Sequence, residues 1–253
     1  MIYILFLIFT FSILFFAFYQ WQFFMVFSPT YYRDGELGDE FEVLSVKTED
    51  GVELEGVVYE PKNPHATLLF FAGRSHDSVG LIERLALLYT DVRIITFNYR
   101  SYGRSGGSVN EQNILDDGLL VARLVQKNYG DFYILGFSIG SSVASFVASQ
   151  VKTKGVFLIG AFDSLISLAK RKFKLVPSKF LRYKFETKKF VKEIEAKTYL
   201  FVSKDDEITY IDNARELKKS VKNLEFYKEF DNLSHKELLW HEEVIDKIKG
   251  VLV

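Results

Sequence analysis

The stretch "YILGFSIGSSVAS", Tyr133 to Ser145, sets Ser138 between Gly136 and Gly140. The apolar run Phe132–Leu135 before it reads as a strand, and Ile139–Gln150 after it carries a helical pattern. A serine at such a corner sits in a tight, strained turn, and small neighbours let the backbone close around it. The other reading is a crowded turn with an incidental serine. Groups elsewhere in the chain decide between the two.

Working outward, "FEVLSVK" and "ELEGVVYE" flank the turn signal Asp50-Gly51 and read as a hairpin. Further β-like runs are Thr67–Phe71, Val92–Phe97, Val156–Ile159, Tyr199–Val202 and Leu224–Tyr227. Helical patterns lie between most of them: Val79–Tyr89, Glu111–Asn128, Ile211–Ser220 and Lys236–Leu252. Two antiparallel strands followed by alternating strands and helices argue for a mostly parallel sheet covered by helices. Gly-x-Ser-x-Gly between a strand and a helix is the nucleophile elbow of the α/β-hydrolase fold. The expected architecture is that fold, with an eight-stranded sheet, over residues 41–253.

Composition removes several function classes. The 253 residues suit one sizeable α/β domain, and a net charge of −1 gives no global field for nucleic acid. There is no cysteine, which excludes disulfides, thiolate metal sites and a cysteine nucleophile. With four histidines, a histidine-rich metal site is not expected, and neither a metal nor a cofactor is called for.

Residues 1–27 differ in kind. No Asp, Glu, Lys or Arg occurs from Met1 to Tyr32, and Ile2–Tyr19 is apolar or aromatic apart from Thr10 and Ser12. Roughly 20 such residues cross a bilayer as a helix. Tyr19, Trp21 and Tyr31 suit an interfacial aromatic belt. A cleaved signal peptide would want a basic start and a small-x-small site, and "AFYQWQFF" offers neither. A retained single-pass anchor, joined by a linker, 28–40, is expected in preference to a cleaved signal or a buried amphiphilic helix. Arg33, Lys47 and Lys62 follow it, a weak signal for a cytoplasmic C-terminal domain.

Ser138 needs a base, and His235 lies where the Ser…Asp…His order of this fold puts it, after the last strand. His241 reads as a residue inside the final helix, and His65 and His76 precede the serine, although His76 is a candidate pocket residue. For the acid, "FVSKDDEIT" supplies Asp206, with Asp205 as runner-up and Asp163 a weaker candidate. Adjacent carboxylates also fit a plain role at a helix N-terminus. An oxyanion needs two backbone donors. Ile139 N–H is one, and the loop "FFAGRSHD" supplies the second, Arg74 N–H, with Gly73 letting the chain approach the substrate.

"NYRSYGRSGGSVNE" (Asn98–Glu111), "LGFSIGSSVA", "GAFDSLISLAKRKF" and "VSKDDEITYIDNARELKKS" resemble, in order and spacing, the membrane-anchored bud-emergence-type (Bem-like) α/β hydrolases. The resemblance covers roughly residues 40 to 250, and the apolar N-terminus also fits that group. It implies a triad of Ser138, Asp206 and His235 acting on lipid or protein-acyl substrates. The chain departs from the family pattern at the oxyanion loop, where His-Gly-Asn is replaced by Ala72-Gly73-Arg74, and at Tyr210, where proline is common.

A short cap region is expected at 162–195. Within it, Ala169–Lys192 holds ten Lys/Arg against one Glu, interleaved with Phe173, Phe180, Tyr183, Phe185 and Phe190. A solvated basic face over an apolar underside is one reading, and contact with anionic lipid headgroups is the other. Nucleic acid is not an expected partner. Two functions stand: an anchored serine hydrolase cleaving an ester, thioester or amide acyl bond, or a non-catalytic membrane-tethered interaction module.

Overall fold

The computed structural model describes residues 2–30, 37–173 and 177–253, so Tyr31 and Arg33, and Lys174 of the basic stretch, lie outside the described residues. Helix α1 (Ile2–Val26) comes first. Gly51, at φ 83°, then turns the chain between β1 (Phe41–Lys47) and β2 (Glu53–Tyr59), which pair antiparallel as expected. Six strands follow: β3 (Ala66–Phe71), β4 (Val92–Phe97), β5 (Tyr133–Phe137), β6 (Gly155–Ile159), β7 (Lys197–Ser203) and β8 (Leu224–Phe230). Among the described residues the eight form one sheet in the order β1-β2-β4-β3-β5-β6-β7-β8, parallel from β4 onward.

The central strands are buried on both faces, which is why they read as unbroken apolar runs. Alternation divides them between two cores. Leu68, Phe70 and Leu135 face the layer of α2 (Ile82–Leu88) and the C-terminal helix, while Leu69, Phe71 and Ile134 face α3 (Glu111–Tyr129) and α4 (Ile139–Gln150). Asn110 caps α3 by accepting from Asn113 N–H at 2.9 Å. Between β6 and β7 the cap region contributes α5 (Leu165–Lys172) and the short α6 (Thr187–Phe190). Helix α7 (Ile211–Lys218) links β7 to β8.

One expected helix is two. The run Lys236–Leu252 divides into α8 (His235–Leu238) and α9 (Glu242–Leu252). Ser234 and Glu237 form a capping box that starts α8. His241 then takes φ −71°, ψ 130°, outside helical space, and stands at the N-cap of α9 rather than inside a helix. The break lets α9 turn Val244, Ile245, Ile248 and Leu252 onto the sheet.

Helix α1 has two distinct parts. Its 18-residue apolar window has a mean hydropathy of 2.4 and none of it is buried. Large side chains such as Phe6, Phe11 and Leu14 stand exposed along it. The last turns instead join the domain: Gln22 and Val26 are buried, and Phe27 just beyond is enclosed by Tyr183 (ring centroids 5.0 Å apart) and Phe185. The Gln22 amide donates to Phe180 O at 3.0 Å and accepts from Arg182 N–H at 2.8 Å.

Arg100 ties the sheet to α3. Its guanidinium donates to buried Asp117 at 2.7 Å and to the more exposed Asp50. Burial pushes the Asp117 carboxyl above its ordinary pKa, with Arg100 pulling the other way. Arg100→Ala removes the main compensation for a buried acid, so unfolding stability should fall by ~3–5 kcal/mol. Urea titration checks this; a loss under ~1 kcal/mol would mean that Asp117 is satisfied without Arg100.

Candidate active site

All four candidate segments leave the C-terminal ends of parallel strands: 72–78 after β3, Ser138 after β5, 204–210 after β7 and 231–235 after β8. Side chains gather there because each strand must hand over to a helix at that edge. His65 lies at the opposite edge, just before β3, and is exposed.

Ser138 has φ 55°, ψ −122°, a strained conformation for a residue bearing a side chain. Its N–H donates to Ile159 O at 2.9 Å, pinning the turn to β6. The glycines have a steric reason. A Cβ on Gly140 would stand 2.1 Å from Phe71 O, and one on Gly136 would stand 2.5 Å from Gly140 O. Any larger residue would force the helix and strand apart.

His235 Nδ1 and Asp206 Oδ2 are 2.6 Å apart, and both side chains are almost wholly buried. Asp206 is further held by Thr209 Oγ1 on Oδ2 (2.6 Å) and by the N–H groups of Ile208 and Thr209 on Oδ1 (both 2.8 Å). Burial opposes its charge, but His235 and the Thr209 donors outweigh burial and hold its pKa below the ordinary value. The other carboxylates are engaged elsewhere. Asp205 accepts from Asn232 N–H at 2.7 Å, and Asp163 accepts from Asn213 at 2.8 Å. His241 packs on Phe230.

The His235 ring lies against Phe137, the residue before the serine, with centroids 4.9 Å apart. A Cβ on Gly160 would come within 2.9 Å of it, so this glycine makes room for the imidazole. Among the described residues no hydrogen bond joins Ser138 Oγ to His235. Nucleophile–base contacts in substrate-free sites are often long.

The loop after β3 is fixed from outside. Tyr99 Oη donates to Ala72 O at 2.8 Å and Tyr102 Oη donates to Arg74 O. Asn98 donates to Asp77 at 2.8 Å and accepts from Ser78 N–H at 2.7 Å. With the carbonyls tied back, Arg74 N–H takes no partner among the described residues, and Ile139 N–H opens α4 without an intrahelical acceptor. The Tyr/Arg/Gly motif was visible in the sequence, but its task of holding this loop was not. The Arg74 guanidinium donates to Met25 O at the end of α1. Tyr210 has φ 44°, a value closed to proline.

A cavity of about 400 Å³ opens on Ser138, Ile139 and Arg74. Two residues expected to bind substrate are placed otherwise. His76 packs edge-on against Phe137 with its Nδ1 buried and unpartnered, and Gly73 sits behind it, so neither lines this cavity. Burial lowers the His76 pKa. The walls come from the cap region and, unforeseen from sequence, from α1 through Phe18, Trp21, Gln22, Met25 and Val26. The signal for that contribution was Gln22, a polar residue in an apolar run.

No protein-family model matches the chain. An uncharacterised protein of Acanthamoeba polyphaga mimivirus is 28% identical over 115 residues, 43% of this chain and 39% of the viral protein. The chain therefore matches well under half the length of that relative. Solved structures match far more of it. An esterase of Pyrococcus furiosus superposes with TM-score 0.69 at 17% identity, covering 90% of this chain and 96% of the esterase. An α/β hydrolase of Vibrio vulnificus gives 0.68 at 16%, covering 84% and 81%. An acetyl xylan esterase from a Paenibacillus species gives 0.65 at 14%, covering 88% and 87%. The fold is that of the α/β hydrolases. At such identities the likeness speaks for the fold alone.

Proposed function

We propose that the chain is a membrane-anchored serine hydrolase of the Bem-like kind, cleaving an ester, thioester or amide acyl bond. The observation that carries this reading is the buried Asp206–His235 pair, 2.6 Å long, packed beside a strained Ser138 that opens into a cavity. In the proposed reaction Ser138 Oγ attacks the acyl carbon and its proton passes to His235 Nε2. Asp206 fixes the tautomer by accepting from Nδ1 and stabilises the imidazolium. Ile139 and Arg74 N–H groups hold the oxyanion. The leaving group takes the proton from His235, and water, activated by the same imidazole, releases the acid and restores Ser138. That several structural neighbours are named esterases supports an acyl bond as the target.

Labelling with a fluorophosphonate tests this reading. The full chain should react and the Ser138→Ala chain should not. Equal reaction of the two would favour a non-catalytic tether instead.

The exposed apolar part of α1 supports membrane insertion, since such a surface is unfavourable in water. The basic cap stands beside the same helix. Arg182 lies over Tyr19 at 4.7 Å, Phe180 meets Phe15 at 5.7 Å, and Phe173 meets Trp21 at 5.5 Å. Arg171, Lys188 and Lys189 are spent on carboxylates, whereas exposed Lys170, Lys172, Lys179 and Lys184 have none among the described residues. These lysines are offered as contacts for anionic headgroups. Reconstituted into vesicles, the full chain should turn over an acyl ester several-fold faster when anionic lipid is present, and 0.5 M salt, at a Debye length of ~4 Å, should remove the gain. Equal rates in neutral vesicles would dismiss the lipid contact.

A further inference from the structure

Five lining residues of the cavity, Phe18, Trp21, Gln22, Met25 and Val26, recur at the spacing of one helix face. The same face continues toward the N-terminus as Phe11, Leu14 and Phe15, which are exposed. One apolar stripe thus runs from the bare part of α1 into the chamber that holds Ser138. Gln22 does not interrupt it, because its amide is consumed by Phe180 O and Arg182 N–H.

The exposed apolar surface fixes the level of that chamber. It continues past Phe16 to Tyr19 and Trp21 and on to Phe24. That surface is the part of α1 that a hydrocarbon layer would cover. The wall residues Phe18 and Trp21 then lie at the inner edge of the hydrocarbon, alongside the cavity rather than above it. Arg74 fixes the lower end of the helix through Met25 O, and that residue's own N–H is the proposed oxyanion donor.

We infer that the last two turns of α1 are the acyl-chain wall of the active site, and that a single acyl chain reaches Ser138 sideways from the bilayer along Phe18, Trp21 and Met25. The inference rests on the serine-hydrolase reading of this site and on α1 spanning a membrane. It makes the substrate a membrane-resident acyl ester or thioester whose chain stays in lipid while its carbonyl reaches the serine. It also makes the anchor a determinant of specificity as well as a tether.

Two experiments on the full chain in neutral vesicles test it. In the first, kcat/KM is measured for palmitoyl and acetyl esters of one fluorogenic alcohol. Met25→Trp narrows the chamber and should lower the palmitoyl-to-acetyl ratio at least tenfold, while Trp21→Ala should shift the preferred chain length. Ratios within twofold of wild type in both variants, with Ser138 still labelled by fluorophosphonate, would overturn the inference and leave the hydrolase reading intact. The second reads binding without turnover. Ser138→Ala protein is irradiated with a long-chain ester bearing a diazirine in mid-chain, and crosslinks are mapped by mass spectrometry. Attachment at Phe18, Trp21 or Met25 supports the wall, and attachment confined to α5 and the 207–210 loop refutes it. Loss of fluorophosphonate labelling in the wild-type chain would strike the hydrolase reading, and the crosslink map would still decide where the chain lies.

Discussion

Alanine at Ser138 should reduce acyl-ester turnover by on the order of 10⁵-fold or more, with binding of the substrate retained. The size of the effect follows from how little else at the site can form a covalent acyl intermediate. Thr209 spends its hydroxyl on Asp206, Ser141 spends its own on Ser138 O, and no cysteine exists. What remains after the substitution is the catalysis given by positioning and the oxyanion donors, ~10³–10⁴ over water. The variant should fold, because alanine preserves the Cβ at φ 55° and, among the described residues, Ser138 Oγ makes no hydrogen bond that helps hold the turn. Matching thermal melts for the two chains, with turnover measured on one fluorogenic ester, check this. A loss below tenfold would remove Ser138 from the chemistry.

Asp206→Asn is the second large effect, about 10⁴-fold in kcat, against less than about twofold for Asp205→Asn. An amide at 206 keeps the shape of the side chain but presents an NH₂ toward either His235 or the Thr209 donors, so the imidazole loses its preferred tautomer. Among the described residues the Asp205 carboxylate accepts only from the Asn232 N–H, so its change leaves the base alone. Because Asp206 also holds the turn at Ile208 and Thr209, stability needs a separate readout. Its folded pKa lies below the unfolded value of ~3.9, so the carboxylate stabilises the fold fully above that value. That contribution disappears as pH falls through the folded pKa. The stability gap between wild type and Asp206→Asn in urea should thus be steady near neutrality and shrink below pH ~4. A gap that widened in acid would contradict the charge assignment.

Much of this was legible in the chain. The strands and the elbow announce themselves through apolar runs and through glycines that the turn demands, since both are local constraints. The order of Ser138, Asp206 and His235 followed from where strands end. The boundary between α8 and α9 was not legible, because apolar periodicity continues through Leu238–Ile245 while a capping box and an extended His241 break the backbone. Nor was the choice between adjacent Asp205 and Asp206 open to proof from sequence. Neighbouring side chains on a loop point in different directions, and only the fold shows that one reaches His235 and the other Asn232.

Arg74 and Gln22 mark the deeper limit. As sequence, one was a departure from a family pattern and the other a blemish in an apolar helix. The chain by itself determined the alternation of strands and helices that a mostly parallel sheet requires, an elbow and an apolar N-terminal helix, because each shows in residues close in sequence. Only the tertiary structure set the end of that helix against the serine. Arg74 with Met25, and Gln22 with Phe180 and Arg182, are hydrogen bonds between residues far apart in the chain, and such pairings leave no periodic trace.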